Sequence, residues 1–230
     1  MPAVQSGAGM MTPRIIVLND YAVLVEFGRE ISVELNDCAL AFAERVEREP
    51  FPGLVEVVPA YASAAVYFDP AVVRLTAGGS PAAAVTRYVD ALLAGSGELD
   101  RRRQSRPVEI PVAFDGEDLV WIAAAKAISA ADVIDIFLSR TYRVFMLGFL
   151  PGFAYMGEVD ERIVVPRKET PRRSVPKGSV GIAGGQTGIY PLESPGGWQL
   201  IGRTSKEMFS PDADEPCLLR PGDDVRFVRE

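Results

Sequence analysis

The first part of the chain alternates hydrophobic and polar positions in a pattern typical of a mixed sheet-and-helix domain. Residues 14–18 and 22–27 are rich in Ile and Val and flank the turn pair Asn19 and Asp20, which predicts two strands. Four apolar residues then follow at helical spacing: Leu35, Ala39, Phe42 and Val46. This period predicts an amphipathic helix.

Strand character returns at residues 54–58 and 62–68, with a break expected at Pro59, which cannot donate to a sheet ladder. The pair Ser80 and Pro81 then predicts a helix start, a capping residue followed by a first-turn proline. The buried face of that helix is predicted from three residues: Val85, Val89 and Leu92.

Residues 95–106 are polar, charged and poor in apolar residues, which predicts a domain boundary. Three consecutive arginines at 101–103 lie among turn-prone residues, so a solvated linker is favoured over a binding patch. The expected organisation is a disordered tail over 1–12, an α/β domain over 13–94 and a second domain over 107–230.

The second domain begins with a strand pattern at 108–113, followed by helical patterns at 118–128 and 129–137. Ser129 is the expected N-cap of the second helix. From Tyr142 onward, glycine or proline separates short apolar runs every several residues, which is typical of an all-β structure.

Composition narrows the class of protein. The 230 residues are 48% hydrophobic, enough for a folded core, and the net charge of −7 argues against a general nucleic-acid binder. Two cysteines without CxxC spacing indicate neither a zinc site nor a disulfide framework, and no signal peptide is visible. A cytoplasmic protein is expected.

Absent residues exclude several mechanisms. The sequence contains no histidine, so no Ser-His-Asp triad or His-based metal site can form, and no metal site is expected. Lys177, Gly178 and Ser179 lack the upstream glycine of a phosphate loop. No G-x-S-x-G elbow surrounds Ser179 or Ser194.

The segment from Gly148 to Thr204 is dense in glycine, proline and arginine, which favours loops held in defined shapes. It supplies a predicted substrate-binding set: Arg167, Arg172, Gln186, Tyr190, Ser194, Trp198 and Arg203. Arginine suits carboxylate or phosphate, glutamine suits an amide, and the aromatic rings would form the walls of a pocket. A carboxylated cyclic amide plus ATP matches these groups.

Each candidate also has a structural interpretation. Arg167 and Arg172 would equally form surface pairs with Glu161 or Glu169. Trp198 fits the core of a small barrel better than a ligand platform. Other residues of the set would serve as turn, rim or partner-facing positions, so no catalytic residue is identified.

Three stretches carry a family resemblance: GFLPGFAYMG, PRKETPRRSVPKGSVGIAGGQTGIYP and SPGGWQLIGRT. They resemble the family that contains the B subunits of 5-oxoprolinases and the Kip-type inhibitors of histidine kinases, also labelled allophanate hydrolase subunit 1 or carboxyltransferase domain C/D. The likeness extends upstream through NDYAVLVEFG, VEVVPAYASAAVYFDP and RPVEIPVAF.

The resemblance implies an α+β fold with an N-terminal ferredoxin-like α/β domain and a C-terminal cyclophilin-like β-barrel. Shape alone confers no prolyl isomerase activity. The family pattern usually carries a histidine before the tyrosine-containing strand, and Phe137 stands at that position here.

The resemblance further implies the B subunit of an ATP-dependent 5-oxoprolinase, a lactam hydrolase that opens 5-oxoproline to glutamate. ATP with Mg would be bound by the assembled complex, and the C subunit (similar to allophanate hydrolase subunit 2) and the A subunit would be the partners. Two alternatives stay open: a carboxyltransferase-type subunit of urea metabolism, and a binding module that inhibits a sensor histidine kinase.

Overall fold

The computed structural model describes residues 12–95 and 105–230, which form a mixed α/β protein. The chain divides into two compact units, 1–102 and 103–230. Most of the predicted tail and most of the predicted linker lie outside the described residues. Within the two described ranges, no helix combines the length and the apolar composition needed to cross a membrane.

The described part of the first unit is a four-stranded antiparallel sheet with helices. Its strands are β1 (Arg14–Asn19), β2 (Ala22–Glu26), β3 (Leu54–Ala60) and β4 (Ser63–Phe68). Its helices are α1 (Val33–Arg48), α2 (Pro70–Ala77) and α3 (Pro81–Ala94). The strand order is β1-β2-β4-β3, so β1 and β3 form the two edges.

The first unit has its own hydrophobic core. Alternate residues of β2 and β4, such as Val23 and Val66, are fully buried there. Phe42 from α1 and Val89 from α3 pack into the same cluster, so the helical faces predicted from spacing are confirmed. Ser80 caps α3 as expected, because its hydroxyl accepts from the N–H of Ala83.

Two details of this unit differ from the sequence predictions. The break at Pro59 is wrong: β3 continues to Ala60, because an edge strand tolerates a residue without an N–H. Helix α2 was not predicted, although Asp69 accepts from the N–H groups of Ala71 and Val72 and Pro70 follows as the first helical residue.

The ferredoxin-like prediction for the first unit is not confirmed. That fold alternates as β-α-β-β-α-β. Here a hairpin, β1 and β2, precedes the first helix, and β3 and β4 form a second hairpin before α2 and α3.

The described part of the second unit is a seven-stranded sheet, a small two-stranded sheet and two α-helices. The strands are β5 (Pro107–Val112), β6 (Thr141–Leu147), β7 (Ala154–Gly157), β8 (Arg172–Val175), β9 (Ser179–Ala183), β10 (Gln186–Ile189), β11 (Ser194–Gly196), β12 (Gln199–Arg203) and β13 (Asp224–Arg229). The helices are α4 (Leu119–Lys126) and α5 (Ala130–Leu138).

The larger sheet curls until its two edges meet. Its order is β12-β9-β10-β7-β6-β13-β5, and β8 pairs separately with β11. Ala113, just after β5, exchanges two backbone hydrogen bonds of 2.9 Å with Arg203 of β12, which joins the outermost strands. This curled sheet is consistent with the cyclophilin-like fold that the resemblance implies.

Phe137 lies in the core of the second unit. Its ring is fully buried and stacks at 4.9 Å against both Tyr142 and Phe227, with Phe114 6.1 Å away. Phe137, which the resemblance places at the histidine position of the family pattern, is therefore a packing residue in this chain.

Candidate functional site

An aromatic pocket of about 210 Å³ lies on the second unit, beside a satellite apolar cluster separate from its main core. Five rings line this aromatic pocket: Phe149, Phe153, Tyr155, Tyr190 and Trp198. The cavity has the concave, mostly apolar character of a small-molecule site and is smaller than a usual one, about 300 to 1,000 Å³.

Phe153 is at the centre of the aromatic wall. Its buried ring makes edge-to-face contacts with Tyr155 at 4.9 Å, Tyr190 at 5.3 Å and Trp198 at 5.5 Å. Such pairs add to the stability gained by burying the rings and fix their orientation. The mutual packing of these rings therefore defines the shape of the wall.

Arg167 supplies positive charge at the rim of the aromatic pocket. Its guanidinium lies over the Trp198 ring, 5.7 Å from the centroid, within the range of a cation–π contact. The side chain is exposed, and no carboxylate among residues 12–95 and 105–230 forms an ion pair with it. Its hydrogen-bonding fork is available to a carboxylate or phosphate.

Tyr190 keeps its proton at neutral pH. Burial raises the pKa of its phenol, an effect that the N–H of Trp198 and the nearby charges of Arg167 and Arg172 only partly offset. The ring packs directly against Gly196, where a Cβ would come within 2.8 Å of Tyr190 Cε1. Glycine at 196 thus lets strand β11 approach the aromatic wall.

Phe149 stands at the open side of the aromatic pocket. Its side chain is 62% exposed, and its ring meets Phe153 edge to face at 5.6 Å. Its φ of 70° lies in the left-handed region that non-glycine residues seldom adopt. Residues held in sparsely populated backbone conformations cluster at active sites and ligand clamps.

Arg172 lies behind this wall, and its guanidinium is occupied by protein groups. It forms ion pairs with Glu117 and Asp118 and donates to the backbone oxygen of Trp198 at 3.0 Å. Only 14% of the side chain is exposed. A substrate-binding role for Arg172 stays a prediction, and these contacts favour a structural role.

Asp118 is the shared hydrogen-bond acceptor behind the aromatic wall. It is buried, and it accepts from Lys168 Nζ at 2.8 Å, from the N–H of Leu200 at 2.7 Å and from Arg172. Burial raises the pKa of its carboxyl, but the three donors together lower that pKa below its usual range. Asp118 is therefore a carboxylate at neutral pH.

The remaining predicted residues lie outside the aromatic pocket. Gln186 pairs across the sheet with Gly157 and Ala183. Ser194 is buried, and its hydroxyl donates to the backbone oxygen of the next residue. Arg203 is exposed, pairs with Asp115 at 3.2 Å and lines a separate hollow of about 180 Å³.

The structure thus brings Arg167, Tyr190 and Trp198 together from the predicted set. Trp198 was predicted either as a core residue or as part of a ligand-binding wall. Its side chain is 4% exposed and also lines the pocket, so both descriptions apply. Sequence reasoning missed Phe149 and Asp118. The first lies inside the GFLPGFAYMG motif, whereas the second gave no signal beyond that of a helix start.

The aromatic pocket does not fit ATP. One unpaired arginine and a cavity of about 210 Å³ offer neither the volume nor the row of backbone N–H groups that a triphosphate needs. No step of the chemistry is therefore assigned to a nucleotide on this chain.

The family model and the sequence relatives that match this chain are related to one another. Residues 13–219 match the model of the carboxyltransferase domain, subdomain C and D. The chain is 46% identical over 218 residues to the B subunit of 5-oxoprolinase from Bacillus subtilis, an alignment that covers 92% of this chain and 90% of that protein.

Two crystal structures place the same fold within longer chains. TTHA0988 superposes with a TM-score of 0.79 and 40% identity over 91% of this chain, which amounts to 40% of the TTHA0988 chain. Kluyveromyces lactis urea carboxylase superposes with a TM-score of 0.73 over 95% of this chain and 22% of its own. At 23% identity, the latter likeness concerns the fold alone.

Proposed function

The chain belongs to the family of the carboxyltransferase domain, subdomain C and D, and from that membership we propose that it is the B subunit of an ATP-dependent 5-oxoprolinase. The observation that carries the proposal is the near-full-length match to the Bacillus subtilis protein. The proposed reaction opens the lactam of 5-oxoproline and yields glutamate. The enzyme would act in the cytoplasm.

In this proposal the aromatic pocket binds 5-oxoproline. Arg167 holds the substrate carboxylate with its planar fork of donors. The flat lactam ring packs among Phe153, Tyr190 and Trp198, which exclude water from one side of it. Tyr190, a neutral phenol, keeps a proton at the pocket wall.

This chain contributes binding and orientation rather than the complete chemistry. It has no histidine and no phosphate loop, so amide activation by ATP with Mg falls to the assembled complex. The C and A subunits of the enzyme are the proposed partners. The TTHA0988 chain, of which this chain matches only 40%, supports an association with further protein.

The test is reconstitution. The chain is co-expressed with the A and C subunits, and 5-oxoproline-dependent ATP hydrolysis is measured for the complex and for the purified chain alone. We expect turnover by the complex and none by the isolated chain.

Two outcomes would contradict the proposal. Robust turnover by the isolated chain would overturn the shared site. Carboxylation of urea by a biotin-carrying partner complex, without any 5-oxoproline-dependent turnover, would select the carboxyltransferase alternative instead.

A further inference from the structure

Asp118 occupies a helix cap position without acting as a cap. It is the residue that precedes helix α4, where an aspartate normally accepts a hydrogen bond from the first turn. Its side chain makes no such bond. A residue that breaks a local rule in this way is expected to be needed elsewhere in the structure.

The carboxylate of Asp118 instead joins two distant segments that line the aromatic pocket. One oxygen accepts from Lys168, which directly follows Arg167, and the other accepts from Arg172 and from the N–H of Leu200. The backbone N–H of Lys168 also donates to Gly197 at 2.8 Å. These bonds hold the 167–172 segment against the start of β12.

The backbone of Trp198 is tied to the same network, because its carbonyl accepts from Arg172 at 3.0 Å. Gly116 permits the close approach, because a Cβ there would collide with the backbone of Leu200 to Gly202. The N–H of Asp118 donates to Leu200 at 3.0 Å in the same approach.

We propose that Asp118 is the positioning residue of the aromatic pocket, which clamps the Arg167 segment to the Trp198 segment so that cation and ring keep their relative geometry. The clamp itself is a property of this chain. Its effect on 5-oxoproline rests on the proposed function.

The first experiment tests the clamp without any substrate, by measuring the fluorescence of Trp198. The protein has two tryptophans, and Trp121 is exposed on α4 outside the pocket, so in a Trp121→Phe background all tryptophan emission comes from Trp198. In that background, Asp118→Asn should shift Trp198 emission to the red and increase its quenching by acrylamide. Asp115→Asn, an exposed carboxylate three residues earlier, is the matched control and should leave both unchanged.

The second experiment reads substrate binding in the reconstituted complex. Asp118→Asn should raise the KM for 5-oxoproline about tenfold while kcat changes little, since a displaced Arg167 weakens ground-state and transition-state binding alike. Lys168→Gln should act in the same direction with a smaller effect. Lys168→Gln also tests the clamp if Asp118→Asn fails to fold, because it leaves the other two bonds of Asp118 in place.

Two results would overturn the clamp: unchanged Trp198 emission in a folded Asp118→Asn or Lys168→Gln protein, or a fall in kcat at constant KM. A red shift of Trp198 emission in the variants would support the clamp. If the wild-type complex also showed no 5-oxoproline-dependent turnover, the proposed substrate would be rejected while the clamp stood. The two hypotheses therefore fail separately.

Discussion

At the scale of single residues, the site depends on which arginine is left unpaired. Arg172 forms ion pairs with Glu117 and Asp118, whereas Arg167 is exposed, lies over the face of Trp198 and forms no ion pair with a carboxylate among the described residues. The N–H donors of Arg172 can bind a ligand only if its ion pairs with the two carboxylates are broken. The proposed anion-binding role therefore falls to Arg167 rather than to Arg172.

Arg167→Ala is expected to weaken 5-oxoproline binding by the complex while leaving the melting temperature near the wild-type value. A hydrogen bond to a charged group contributes about 1.5 to 3 kcal/mol, which corresponds to a loss of about ten- to a hundredfold in affinity. Arg167→Lys should recover little, because an ammonium lacks the planar fork. Arg203→Ala is the control, and equal losses in both variants would remove Arg167 from the site.

Arg172→Ala is expected to destabilise the fold. The change leaves the buried carboxylate of Asp118 with one donor fewer and frees the backbone oxygen of Trp198, at a cost of about 1 to 3 kcal/mol. Urea unfolding of the isolated chain measures this cost. The exposed neighbour Arg173→Ala should stay within about 0.5 kcal/mol of wild type. A fully stable Arg172→Ala protein with abolished turnover would restore Arg172 as a substrate ligand.

At the scale of elements, a second carboxylate ties a turn to the curled sheet. Asp160 precedes the short helical turn at Glu161–Ile163 and accepts from Arg162 at 2.9 Å and from Arg140, just before β6, at 2.8 Å. Hydrogen bonds from Arg162 and then Arg140 hold the pKa of Asp160 well below its usual range.

This lowered pKa predicts a pH-dependent contribution to stability. Asp160 stabilises the folded state above the pKa of an unfolded aspartate, about 4, and loses that contribution as the pH falls toward its lower folded-state pKa. The difference in urea midpoint between wild type and Asp160→Asn should thus be largest near neutral pH and shrink below about pH 4. A difference that stays constant down to about pH 3 would contradict this linkage.

Most helices and strands could be predicted from the sequence. Hydrophobic residues recur every two positions in a half-buried strand and every three to four positions in a half-buried helix, so their spacing indicates which element forms. The helix start at Ser129 is an example: its hydroxyl and the Asp132 carboxylate form a reciprocal capping box. Only some residues of the aromatic pocket could be predicted from the sequence. The ion-pair partner that occupies Arg172 lies 54 residues earlier, a pairing that no local pattern contains.

At the scale of the whole molecule, the two units have separate hydrophobic cores. The cluster of the first unit uses residues between 15 and 93, and those of the second unit use residues between 108 and 227. Each unit thus contains the apolar contacts needed for its own stability.

Apart from the predicted N-terminal tail, limited proteolysis is expected to cut chiefly within 95–106, the predicted linker, and to leave two stable fragments. A chain restricted to 105–230 should retain the near-ultraviolet dichroism of the aromatic cluster around Phe153, because all its ring partners lie in that range. Cleavage mainly between 148 and 204 would contradict this expectation and indicate that the pocket segment needs a partner to become ordered.

The proline in edge strand β3 affects how copies of this chain meet one another. An exposed sheet edge is a template on which a strand from another molecule can add, the first step toward aggregation. Pro59 removes a donor from that edge while leaving the strand paired with β4 on its inner side. The residue that sequence reasoning took for the end of a strand thus leaves the outer edge of β3 one donor short, which disfavours the addition of a strand from a second molecule.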